Sequence, residues 1–117
     1  AYLSSPFFEF YIDSFIPFFQ KKYTFLFDLN IEIISVLFSE MQITKKILYT
    51  DTFLEKYEHS DYRYAIHPKR NDWKSDKNFS SEPYTQVFYD RFDFIPNLSI
   101  LDLLFNEGPN SLSFLSL

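Results

Sequence analysis

The sequence has no cysteine and a single glycine in 117 residues. Without cysteine there is no disulfide, no thiolate metal ligand and no cysteine nucleophile. This fits a reducing compartment, and the cytoplasm is the expected location. One glycine is too few for a phosphate-cradling loop, so neither a P-loop nor a dinucleotide fingerprint can be written here. No nucleophile-elbow glycines exist to present a serine for a Ser-His-Asp triad. No apolar run approaches the roughly 18 residues that span a bilayer, and no signal-peptide pattern opens the chain. Positive charge is also short: 11 Lys and Arg stand against 16 Asp and Glu, a net charge of −5. Such a balance argues against a nucleic-acid partner held through phosphate contacts.

Aromatic side chains are abundant. Sixteen Phe, nine Tyr and one Trp make up 22% of the residues. Rings bury much area with few rotatable bonds, so they build a stable core in a short chain. The codons of an AT-rich genome account for most of that excess, so the rings are not taken as a stacking platform for bases. A chain of this length is one domain or part of one.

Along the chain, Ser5-Pro6 reads as a helix start, with Phe7, Phe8, Tyr11, Phe15 and Ile16 at helical spacing. Pro17 is expected to end or kink that helix near Ile16. Thr24 or Asp28 caps a second, well-buried helix reaching about Met41. Residues 47–50 and 86–89 read as short strands, Phe53 to Tyr57 as a helical turn and Asp61 to Ile66 as a short helix. Residues 68–82 form a polar loop around the lone Trp73. The segment from Phe94 to Asn110 is the most informative. Ser99 with Asp102 has capping-box spacing, an apolar face follows, and Gly108-Pro109 stops the helix. Asn110 caps a last helix through Leu112, Phe114 and Leu115. The fold expected is mixed α/β or α+β, mainly helical with a few short strands, in a single domain or half-domain over 1–117.

Four stretches, in order, resemble the WbqC-like family. They are Tyr2 with Ser5-Pro6-Phe7-Phe8-Glu9-Phe10-Tyr11, Asp61-Tyr62-Arg63 leading to His67-Pro68-Lys69, Pro83 to Phe88, and the signature at 94–110. Where the family pattern usually has His and Gly before Phe94, this chain has Phe92 and Asp93. The resemblance implies the C-terminal half of a longer family domain. It also implies a role in bacterial surface-polysaccharide (O-antigen) biosynthesis, acting on a nucleotide-activated sugar or an acyl donor, and it supplies no catalytic residues.

Candidate site residues come from their chemistry. His67 titrates near neutrality and can act as general acid or base, with Asp61 to orient it. Arg63, Lys69 and Arg70 can hold a phosphate or carboxylate. The alternative is a structural anchor in which Arg63 pairs with Asp61. Gln86 can read a sugar hydroxyl and Arg91 can neutralise phosphate, or both can belong to a solvated strand face. Asp102 and the helix start can bind a ligand, or serve only as a cap; an inward-facing Asp102 would favour the ligand. His59, among Glu55, Glu58 and Asp61, has no standard metal-ligand spacing, and no metal or cofactor is expected. The expected partners are a nucleotide-sugar or other anionic small molecule. The other reading is a non-enzymatic subunit that docks its aromatic helices onto a protein partner or a second copy.

Overall fold

The computed structural model describes residues 2–57, 61–63 and 81–115. They fall into two units: residues 1–45 with 81–117, and the intervening 46–80. Among the described residues there are three α-helices and no strand. The fold is therefore mainly helical, and neither of the two expected strands is formed among these residues.

Helix α1 spans Phe8–Gln20. Its start lies later than Ser5-Pro6 suggested, because Tyr2–Ser4 first form one 3-10 turn. Ser5 acts through its carbonyl, which accepts the Phe8 amide at 3.2 Å. Its own hydroxyl is buried without a hydrogen-bond partner. Nor does Pro17 end the helix. It sits in the last turn on the exposed side, where the amide it lacks costs the helix least, and its own carbonyl accepts Lys21 N–H at 2.9 Å.

Helix α2, Leu26–Glu40, follows after a five-residue connection. Ser14 Oγ donates to Glu40, and Lys21 Nζ meets Glu32 at 2.6 Å. The middle of α1 therefore meets the end of α2 and the residue after α1 meets the middle of α2, the order of an antiparallel helical hairpin. Neither Thr24 nor Asp28 is the cap: Phe25 stands there with no side-chain bond. Burial is also less than expected. No residue of α2 is fully buried, while Val36 and Leu37 pack on the core and Leu26 and Phe27 stay exposed.

The C-terminus of α2 is a Schellman motif. Ile43 N–H reaches the Phe38 carbonyl at 2.7 Å and Gln42 N–H reaches Ser39 at 3.1 Å. Gln42 turns the corner at φ 56, a conformation glycine usually supplies.

Helix α3, Ile100–Glu107, has the start and stop that its sequence announces. Asn97 enters at φ 60 and Ser99 Oγ accepts Leu101 N–H at 3.3 Å. Gly108 ends the helix at φ 55 and ψ −126. The chain then continues directly as a 3-10 helix, Gly108–Phe114, with no fresh start at Asn110.

Phe105 is the hub of the core. The rings of Tyr2, Phe8 and Phe15 meet it edge-on at 5.3, 5.2 and 6.0 Å, the geometry aromatic quadrupoles favour. Leu104, Tyr11 and Met41 complete the buried cluster. The Phe105 carbonyl accepts Phe7 N–H at 2.9 Å, so backbone as well as rings ties the first residues to α3.

Residues 47–50 have no regular secondary structure, so the expected strand is not formed there. Phe53–Tyr57 is irregular with a single bend at Glu55, not a helical turn. Residues 87–91 form tight turns in place of a strand. Gln86 O accepts Tyr89 N–H, and Phe88 O accepts the amides of Arg91 and Phe92. Of the helix expected at 61–66, only 61–63 are described, and nearly all of the 68–82 loop, with Trp73, lies outside the described residues.

Candidate functional site

In the 46–80 unit, Arg63 and Asp61 hold each other. The guanidinium donates from Nε to Oδ1 at 2.9 Å and from Nη2 to Oδ2 at 2.6 Å. Nη1 also reaches the Leu54 carbonyl at 2.7 Å. The same cation lies over the Tyr57 ring at 4.6 Å and near Phe53 at 5.4 Å. These bonds from Arg63 pull the Asp61 carboxyl down to about 2. This forked pair over aromatic rings staples Asp61 to residues 54–57. His67, Lys69 and Arg70 lie outside the described residues, as does His59.

The remaining candidates lie in the other unit. Gln86 is buried, and its side-chain amide closes a two-way link with Ile95. Nε2 donates to the Ile95 carbonyl at 2.8 Å and Ile95 N–H donates to Oε1 at 2.9 Å. A side chain thus supplies the pairing that a β-ladder would have made, and it holds the turns at 87–91 in place. Arg91 is exposed and stands 3.7 Å from Asp90, a weak surface pair.

Asp102 lies on the inner side of α3 and is only 5% exposed. Its carboxylate is not spent on the helix start. Oδ2 instead accepts the Tyr84 hydroxyl at 2.7 Å. Burial, and then this bond to Asp102, push the Tyr84 phenol up to about 12. The Tyr2 phenol is raised in the same sense, by burial first and by Asp102 second. The Tyr84 ring is fixed by edge-on contacts with Phe94 at 5.3 Å and Phe114 at 5.8 Å. One turn on, Asn106 donates to the Asp102 carbonyl at 2.8 Å, so the polar residues at i and i+4 share one buried face.

Asp102 opens onto a pocket of about 250 Å³. Val87, Phe88, Phe92, Ile95 and Leu98 give it apolar walls, and Tyr2, Gln86, Asp93 and Asp102 give it polar ones. A mostly apolar cavity with a few converging polar groups is the usual form of a small-molecule site. The sequence singled out Asp102 and Gln86 as binding candidates and gave Tyr84, beside Gln86 on the expected strand, no such role. Tyr84 is distant from Asp102 in the chain, and no local spacing joins them. An available signal was an Asp set among Ile100, Leu101, Leu103 and Leu104, where an acid must find a partner or a ligand.

Among the described residues no cluster of acidic and histidine side chains could hold a metal ion, and no helix is long and apolar enough to cross a membrane. No curated protein and no solved structure matches the chain. The sequence model of the WbqC-like protein family matches residues 1–71 and 71–114. That match runs across the whole chain and is not confined to a C-terminal half. The protein, helical hairpin and closing signature together, belongs to the WbqC-like protein family.

Proposed function

We propose that this protein binds a sugar-based small molecule in the pocket beside Asp102 and acts in the biosynthesis of bacterial surface polysaccharide (O-antigen). The observation that carries this reading is the buried Asp102 carboxylate on the wall of an open, largely apolar pocket. Sugars present hydroxyl donors on one edge and C–H faces on the other, which suits a carboxylate acceptor beside the Phe88 and Phe92 rings. Within this reading the substrate is a nucleotide-activated sugar or an acyl donor with its acceptor. His67, Lys69 and Arg70 keep the acid–base and anion-holding roles that their chemistry suits, while Arg63 and Asp61 anchor their own segment.

The test is to place Asp102→Asn and, separately, His67→Ala in the intact protein in its host and analyse the released surface glycan by mass spectrometry. Loss or truncation of the glycan at normal protein abundance is the expected result. An unchanged glycan in both strains overturns the reading.

The exposed rings of Phe10, Phe19 and Phe25 favour a second reading, a non-enzymatic subunit that docks them on a partner or a second copy. Sedimentation of a well-behaved monomer counts against it.

A further inference from the structure

We infer that the Asp102 pocket recognises a protonated amine, the ammonium group of a ligand about the size of an amino sugar, and rejects phosphate. This rests on the pocket being a ligand site, and it adds the charge of the group bound there.

Two carboxylates, Asp102 and Asp93, line the cavity, and among the described residues no Lys, Arg or His does. The nearby cation, Arg91, is exposed, stands beside Asp90 and does not reach the lining. Gln86 has committed its amide donor and acceptor to Ile95. Asp102 receives a hydroxyl hydrogen from Tyr84. None of the ion pairs among the described residues includes it. Hydroxyls satisfy hydrogen-bonding capacity but do not neutralise charge, and a buried carboxylate without a counter-charge is costly. A ligand ammonium provides that counter-charge together with donors, and charge-assisted bonds are the stronger class.

The walls fit the same ligand. The Phe88 and Phe92 rings line the cavity while remaining substantially exposed. Their faces can take a cation or the polarised C–H bonds beside it. A phosphate in the same place meets two carboxylates and no compensating cation, so like-charge repulsion and desolvation act together against it.

The experiment is a heteronuclear NMR titration of the full chain with glucosamine, cyclohexylamine, N-acetylglucosamine and glucose 1-phosphate. Glucosamine is expected to shift the Gln86 side-chain amide and the backbone amides of Asp93, Leu98 and Asp102. Acetylation, which removes the ammonium, is expected to weaken binding about tenfold or more, and Asp102→Asn to remove the preference for the amine. Tighter binding of glucosamine than of cyclohexylamine assigns a sugar body; the reverse assigns an aliphatic amine. Should Asp102→Asn fail to fold, the comparison of glucosamine with its N-acetyl form on the natural chain decides alone. If the neutral or phosphorylated sugar shifts these signals at equal or lower concentration, the amine assignment is overturned while the pocket stands. If none of the four moves them, the pocket is not a ligand site and both readings fall.

Discussion

The ring of Phe7 covers Gly108 so closely that a Cβ at position 108 would meet its Cδ1 and Cγ at 2.6 Å. The glycine also sits at φ 55 and ψ −126, outside the regions open to L-residues. Gly108→Ala therefore meets a steric and a backbone penalty at once, and should cost about 2–4 kcal/mol in chemical denaturation. Adding Phe7→Ala removes the clash but not the strain. The double variant should then be more stable than the sum of the two single losses predicts, because the residues touch.

The turn after α2 gives the opposite sign. Gln42 holds φ 56 with a side chain where glycine is unstrained. Gln42→Gly should stabilise the protein by about 0.5–1 kcal/mol, after the extra freedom of glycine in the unfolded chain is counted. Asn97→Gly should gain less, since Asn tolerates the left-handed region better than Gln does. Thermal unfolding of the two variants side by side checks the ranking.

The Tyr84 hydroxyl donates to a buried carboxylate, so Tyr84→Phe should cost about 1–3 kcal/mol by leaving Asp102 short of a partner. The pH dependence has a definite direction. The folded-state phenol titrates at about 12 against an ordinary 10.0. Its contribution is complete below pH 10 and is lost as pH rises from 10 to 12, where the unfolded chain ionises first. Denaturation curves across that window should fall more steeply for the natural protein than for Tyr84→Phe, and phenolate absorbance should lose its latest-titrating component in the variant.

Asp61 has the acidic counterpart. Its carboxyl is lowered from 3.8 to about 2 by Arg63. The stability it contributes is present above pH 3.8 and is lost as pH falls through about 2. Amide exchange at Arg63, whose N–H donates to Asp61 Oδ1 at 3.1 Å, should accelerate over that acid range. Asp61→Asn should show the faster exchange already at neutral pH.

Helix α3 could be read in advance because all its determinants are local: a serine before it, an apolar face along it and Gly108-Pro109 after it. The body of α1 was readable for the same reason, while its ends were not. Ser5-Pro6 resembles a start, but the backbone there first makes a 3-10 turn that brings Tyr2 to Phe105. Pro17 reads as a stop, yet in an exposed last turn the missing amide costs the helix least. The apparent strand at 86–89 failed because β-favouring residues such as Val87, Phe88 and Tyr89 suit a turn beside a cavity as well as a pleated ladder. The pocket was half visible. Asp102 could be named from its own segment, but its pairing with Tyr84 depends on tertiary packing and leaves no trace in spacing.

Phe105 also sets an order on events at the ribosome. Tyr2, Phe8 and Phe15 emerge early, yet the ring that gathers them is made only after the hairpin and the whole of 46–80. Until then the nascent hairpin carries bare rings through a crowded cell, and contacts so far apart in sequence close slowly. That interval of synthesis is thus when this polypeptide is most exposed to aggregation.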